Sequence, residues 1–295
     1  MKKIGLAIAL GKDANSHTRT FIEAINYSLK NFPEFKQHSL KIVNDEKSSE
    51  GGEKAAIELV EWGADVVVGH FSSFAALAAL PVYSRNAIPL ILPASTACEL
   101  GNYNQRSDIE LLKYQKDNAA LMTYCIDDCI INHQGGTVYA VVQNNDYANR
   151  MMEYIPMLAD VKIVRDIPSR VEKRDTYLIV GYSEFACAKI RQLSQTQIYR
   201  ILLVDDSDSH DVYNACILRP QRLSRVRSVS HISMHGVKRP YWNETLLALS
   251  LACGLESREE GKANTNLSFS TYLGLQDFDK THCYGDSILV SEDVD

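Results

Sequence analysis

Two short runs of the chain carry hydroxyl chemistry at the ends of apolar segments. Val66-Val67-Val68 leads into Gly69-His70-Phe71-Ser72-Ser73, and Pro89-Leu90-Ile91-Leu92 leads into Pro93-Ala94-Ser95-Thr96. Helical sequence follows each. At such a junction Ser72, Ser73, Ser95 and Thr96 present hydroxyls and backbone N–H groups, and the helix N-terminus adds partial positive charge. That combination suits a carboxylate or another small anion. The same residues serve equally well as helix N-caps, the commonest use of Ser and Thr there. His70, directly after a buried run, is expected to be structural.

Other clusters point to less. The run Asp-Asp-Ser-Asp-Ser-His-Asp at 205–211 lacks the glycine and the closing glutamate of a calcium loop. Cys125 and Cys129 share one helical face, but no suitably spaced histidine pair joins them, so a buried face is expected and no metal site. Asp127 and Asp128 are neighbours on a helix and face different ways. The stretch 219–227 and Lys238-Arg239 are locally basic without interleaved aromatics, which reads as solvated surface, a partner contact being the alternative. The chain has no GxSxG elbow, P-loop, HExxH or GxGxxG motif. No nucleophile sits beside an evident base. Neither an enzyme nor a cofactor is expected.

The elements that must position the hydroxyl runs alternate in type. Residues 4–10, 39–43, 64–70 and 88–93 read as strands, with helices over 17–32, 53–62 and the Ala-rich stretch after Ser73. Continuous apolar runs such as Ala-Asp-Val-Val-Val-Gly fit strands buried on both faces of a parallel sheet. After a polar stretch the pattern restarts: helix 117–133, strand 135–143, helix 147–158, strands 161–166 and 176–182, helix 185–193, strand 199–206. The tail holds a helix at 242–255 and short strands near 268–273 and 287–291. The expected fold is therefore α/β, two Rossmann-like lobes with parallel sheets joined by a hinge. The first lobe is placed at 1–116 plus about 232–265, the second at 117–231 plus about 266–295. Ligands of such sheets sit beyond the carboxyl ends of the strands.

Composition agrees with a globular protein. The 295 residues are 45% hydrophobic and 23% charged, with a net charge of −6 that argues against a dedicated nucleic-acid binder. No apolar run approaches the roughly 18 residues of a membrane span. The seven cysteines form no CxxC pair, and several reduced, buried thiols fit the cytoplasm better than an oxidising compartment. The opening Met-Lys-Lys followed by Ile4 to Leu10 could be a secretory signal. Gly11, Lys12 and Asp13 follow it without a small-residue cleavage site, so a buried strand is the preferred reading. A cytoplasmic location is expected, with the periplasm as the alternative.

Gly69-His70-Phe71-Ser72-Ser73 and Pro93-Ala94-Ser95-Thr96-Ala97-Cys98-Glu99-Leu100 resemble the type I periplasmic binding protein family. The leucine/isoleucine/valine-binding proteins and the amide-sensing relatives are the nearest members. The resemblance implies a protein that closes by a hinge on an amino acid or related amide or carboxylate, as a sensor, a regulator or a transporter-type solute receptor. It implies that Ser73 and Thr96 hold the ligand's carboxylate by their hydroxyls, with the Ala94 backbone taking part of the ammonium group. In the second lobe it implies Tyr147 and Tyr182 as cleft tyrosines and Asp206, with Asp205 second, as the acid that meets the ammonium. The family's ligand-covering aromatic aligns near Ala14, and the cysteines of the disulfide common in secreted members are missing. A homodimer or protein partner stays open. So do two other classes: a ligand-free interaction module on the same fold, and an enzyme on this architecture.

Overall fold

The computed structural model describes residues 1–101, 111–155, 160–193, 198–208, 212, 222–230, 241–255, 258–260, 266–279, 285 and 287–293. The chain divides into two compact units, Met1–Asp117 with Ser230–Ile288, and Asn118–Val229 with Leu289–Asp295.

In unit 1 the opening stretch is a strand, β1 (Lys3–Ile8), buried at every position after the first. It pairs in parallel with β2 (Ser39–Asn44) and β3 (Val66–Gly69). β4 (Leu90–Leu92) and β5 (Leu111–Lys113) complete a parallel sheet of order β2-β1-β3-β4-β5. The connecting helices are α1 (Ser16–Asn31), α2 (Pro33–Lys36), α3 (Ser49–Trp62), α4 (Ser73–Arg85) and α5 (Cys98–Gly101). Asn15 opens α1 by a capping box, accepting the His17 and Thr18 N–H groups while its own N–H goes to Thr18 Oγ1. α3 and α4 approach backbone to backbone, because a Cβ on Gly52 would lie 2.4 Å from the Ala75 carbonyl oxygen. Gly69 is required where β3 ends. Its φ is +130°, and a Cβ there would lie 2.1 Å from the Ala7 carbonyl oxygen.

Unit 2 repeats the plan. α6 (Asn118–Asn132) leads to β6 (Val138–Val142), α7 (Asp146–Glu153), β7 (Val161–Val164), β8 (Thr176–Val180), α8 (Ser183–Leu193), β9 (Arg200–Val204) and β10 (Arg222–Ser230). These five strands are parallel where they pair. Cys125 and Cys129 lie on the buried face of α6, in the core with Leu178 and Leu202. Burial raises both thiols, Cys129 to about 12, and the five described cysteines are free.

The chain then returns to unit 1. α9 (Trp242–Gly254) is buried nearly all round, and the three-stranded antiparallel sheet of β11 (Arg258–Glu260), β12 (Asn266–Thr271) and β13 (Gly274–Asp279) follows. The sequence grouping placed residues from about 266 in the second lobe. Instead 266–288 cluster with unit 1, because Leu267, Phe269 and Phe278 share its core with Leu246 and Leu251 of α9. Gln276 adds a polar tie: its amide donates to Ser250 Oγ at 2.7 Å, and its carbonyl accepts from the Tyr114 hydroxyl.

The last strand, β14 (Ser287–Asp293), lies beside β10 in a sheet of order β14-β10-β9-β8-β6-β7. It corrects the reading of 219–227 as solvated surface at residues 223–226, which are buried, while Arg222 is exposed as that reading expects. Arg225 is 6% exposed and donates to Glu292, with Asp208 at 3.9 Å. Arg222 pairs with Asp293 at 2.8 Å. Arg200, 2% exposed, donates to Asp128 of α6 at 2.5 Å, to Ser224 at 2.9 Å and to Ser291. Arg222 and Arg225 of β10 therefore sit within a strand of the sheet and are matched by acids from β14. Residues 219–221 and Lys238-Arg239 lie outside the described residues.

Candidate functional site

Numbered within their own units, the two sheets have one strand order, 2-1-3-4-5, with β14 added to the second. In that order the connections leave in opposite directions from strands 1 and 3, which opens a crevice at their carboxyl ends. In unit 1 these are the ends of β1 and β3; in unit 2, those of β6 and β8. The sequence-derived candidates fall on these ends and on that of the next strand along, β4 or β9.

In unit 1 Ser73 is the first residue of α4. Its Oγ accepts the backbone N–H groups of Thr96 and Ala97, both at 3.3 Å, and so joins the loop after β3 to the loop after β4. As an acceptor of two bonds it keeps its own O–H proton to donate to an anion. Ser72 caps α4 without a side-chain bond, and its hydroxyl reaches the Lys47 carbonyl at 3.5 Å. Ser95 is 1% exposed and donates to the His70 carbonyl at 2.5 Å. Its hydroxyl is a tie between loops and is turned inward. Ala94 and Thr96 are each 5% exposed. Three residues expected as ligand contacts, Ser73, Ser95 and Thr96, thus belong to one hydrogen-bonded junction, with Ala94 buried in the same loop and Ser72 beside it.

Two features of this junction escaped the sequence. Lys113, at the end of β5, is fully buried, and its Nζ donates to the Ala97 carbonyl at 3.4 Å behind the loop. An aromatic cluster stands at the crevice. Phe71 from the β3 end packs edge-on against Phe21 and Tyr241 and stacks on His17 at 6.2 Å, and His17 meets Tyr241 at 5.0 Å. Ala14, where the family's covering aromatic aligns, is exposed and carries no ring. The available signal was Phe71 itself, lying between the Gly-His pair and the two serines.

In unit 2 Tyr147, in the first turn of α7, and Tyr182, just after β8, stack with centroids 5.2 Å apart and planes at 13°. Asn145 caps α7 by accepting the Ala148 N–H, and the Tyr182 N–H donates to Gln143 Oε1. Tyr147 Oη donates to Asp205 Oδ2 at 2.8 Å and accepts the Asp206 N–H at 3.4 Å. Burial, then the Asp205 and Asp206 charges, holds the Tyr147 hydroxyl well above its ordinary pKa. Burial and the charges of Asp206, Asp205 and Asp146 raise Tyr182 as well. The structure therefore brings together Tyr147, Tyr182, Asp205 and Asp206. It ties Asp205, the residue ranked second, to Tyr147, and leaves Asp206 the more exposed of the two acids. Asp205 has φ +50°, which turns the chain sharply after β9. An acid pair against a stacked π-face suits an amine or another organic cation.

The fold is that of the leucine-binding proteins. A leucine-binding protein, LivK, from Thermotoga maritima superposes with a TM-score of 0.74 at 14% identity, over 100% of this chain and 95% of that one. The branched-chain amino acid transporter substrate-binding protein LivJ from Streptococcus pneumoniae, solved with isoleucine, gives 0.70 at 14% identity, over 99% of both chains. A solute-binding protein of an ABC transporter from Rhodopseudomonas palustris, solved with p-hydroxybenzoic acid, gives 0.74 at 12% identity, over 100% of this chain and 93% of that one. No protein-family model matches the chain, and no curated protein matches it in sequence. The likeness first seen in two motifs thus extends, as a fold, over the full chain. Among the described residues no helix is long and apolar enough to cross a membrane, and no three His, Cys, Asp or Glu side chains are grouped to hold a metal ion.

Proposed function

We propose that this chain is a receptor for a small carboxylate, an amino acid before others. The observation that carries the reading is Ser73: an O–H at the N-terminus of α4 that already gathers the Thr96 and Ala97 N–H groups. The carboxylate is assigned to Ser73 and Thr96, with the Ala94 backbone taking part of the ammonium and the buried Lys113 ammonium favouring the anion from behind. The rest of the ammonium is assigned to Asp206, beside Tyr147 and Tyr182. His17, Phe71 and Tyr241 offer an apolar surface to the ligand's side chain. Hinge closure on the ligand, which the resemblance implies, belongs to this reading. The neighbours are leucine-, isoleucine- and p-hydroxybenzoate-binding proteins, which supports a solute receptor over an intracellular sensor.

The test is a thermal-shift screen of amino acids, short amides and aromatic acids on the purified protein. A ligand at 100 times its Kd adds about 2.7 kcal/mol of stability. A carboxylate hit that disappears in both Ser73→Ala and Asp206→Asn supports the reading. One observation favours a second reading, a protein-interaction module that keeps the fold without a ligand: the Ser95 hydroxyl and the Asp205 carboxylate are already engaged within the protein. A folded, ligand-free protein with no hit across the panel would favour that module.

A further inference from the structure

His70 sits at the centre of unit 1's junction without facing a ligand. It is fully buried and has φ +56°, a left-handed backbone uncommon for residues other than glycine. Four connections leave it. Its N–H donates to the Ala7 carbonyl of β1 at 2.8 Å. Its Nδ1 meets Asp45 Oδ2, in the loop after β2, at 3.1 Å. Its Nε2 meets the Tyr83 hydroxyl, in α4, at 3.0 Å. Its carbonyl accepts the Ser95 hydroxyl. Asp45 and Tyr83 are themselves 1% and 0% exposed, and Asp45 Oδ1 accepts the Lys47 N–H.

These links act on the two loops that matter. The Tyr83 bond ties the last turn of α4 to the junction, and α4 begins at Ser73. The Ser95 bond fixes the loop that presents Thr96. Bulk solvent reaches none of the three side chains, so nothing outside the protein replaces a lost partner.

We propose that His70 is the positioning residue of the anion half-site: its imidazole sets Ser73 through Tyr83 and α4, and its carbonyl sets Thr96 through Ser95. The consequence for a ligand rests on the receptor reading above. The positioning itself does not, since Ser73 holds the Thr96 and Ala97 amides in the protein alone.

The experiment is amide hydrogen exchange on the whole ligand-free protein, comparing wild type, Tyr83→Phe and His70→Asn. Tyr83→Phe removes one hydroxyl and keeps the ring. Asn tolerates the left-handed backbone. Exchange at Thr96 and Ala97 is expected to rise tenfold or more in both variants, while Leu6 and Val68 in the strands keep their wild-type rates. A lesion that merely loosens the unit speeds all four amides together, and this result, or unchanged exchange at Thr96 and Ala97, overturns the proposal. Should His70→Asn fail to fold, Tyr83→Phe alone decides. A second arm measures affinity for L-leucine and L-leucinamide. Mispositioned loops shrink the preference for the carboxylate over the amide, whereas a general loss of structure weakens both equally. Failure of leucine to bind wild type counts against the receptor reading only, and the exchange arm still decides the role of His70.

Discussion

At matching points of the same topology the two units place different chemistry. After strand 1 unit 1 has His17 and unit 2 has Tyr147; after strand 3, Phe71 and Tyr182; after strand 4, the Ala94-Ser95-Thr96 loop and the Asp205-Asp206 turn. Both present an aromatic pair at the crevice. The difference lies in what surrounds the rings. Unit 1 uses hydroxyls and peptide N–H groups with a buried lysine behind, groups that donate to an anion. Unit 2 uses two carboxylates, one bonded to a tyrosine, a cation's environment. Strand order alone fixes where a site forms, and the three or four residues after each strand set its sign.

The units also hold together differently, and the largest expected effect probes this. Arg200→Met removes a buried guanidinium from Asp128, Ser224 and Ser291. Leaving the largely buried Asp128 without its cation is expected to cost about 3–5 kcal/mol. The loss should be confined to unit 2, as read by denaturant unfolding with exchange mapping, and Arg200→Met with Asp128→Leu should recover much of it. Equal loss in both units would break the comparison. A smaller effect sharpens the assignment of sign. Lys113→Met is expected to weaken the screen's carboxylate hit roughly tenfold, ~1.4 kcal/mol, by calorimetry, and to leave an amine lacking the carboxylate unaffected. Equal weakening of both probes would deny unit 1 its anion character.

The smallest effect is on pH dependence. Burial alone would raise the Asp293 carboxyl, but bonds from Ser224 and Arg222 and the charges of Arg222 and Arg200 outweigh it and hold its pKa below the ordinary value. A carboxyl depressed in the folded state contributes stability above its unfolded pKa, about 4, and loses it as pH falls through the folded value. Asp293→Asn should therefore flatten the fall in unit 2 stability below about pH 4 and leave that of unit 1 unchanged. An unaltered acid limb would show that the Arg222–Asp293 pair is too exposed to matter.

The sequence made the frame of this molecule readable because β1, β3, β4, β6, β8 and β9 are buried on both faces, and their apolar runs stand out against amphipathic helices. It made the hydroxyl junction readable for the same reason, since Ser73 and Thr96 directly follow such runs. β10 was not readable: Arg-Leu-Ser-Arg-Val-Arg looks like surface until β14, more than sixty residues later in the chain, supplies its acids. The order of Asp205 and Asp206 depended on one left-handed residue, invisible to periodicity. The grouping of β12 and β13 depended on which core Phe269 and Phe278 enter, a tertiary choice that local pattern does not encode. His17 and Tyr241 come from opposite ends of unit 1's sequence and meet edge to face beside Phe71, a contact that local pattern does not encode.

The chain's return to unit 2 through β14 has a consequence for its birth on the ribosome. Synthesis runs at about 5–20 residues per second, so many seconds separate the making of Asp128 and Arg200 from that of Ser291, Glu292 and Asp293. During that interval Arg222 and Arg225 have no Asp293 or Glu292 to meet. The first five strands of unit 1 can pair as they emerge, whereas in unit 2 Arg222 and Arg225 wait for Asp293 and Glu292 until residues 287–293 arrive. The nascent protein is then most open to misassembly at the strand edge where β14 will sit.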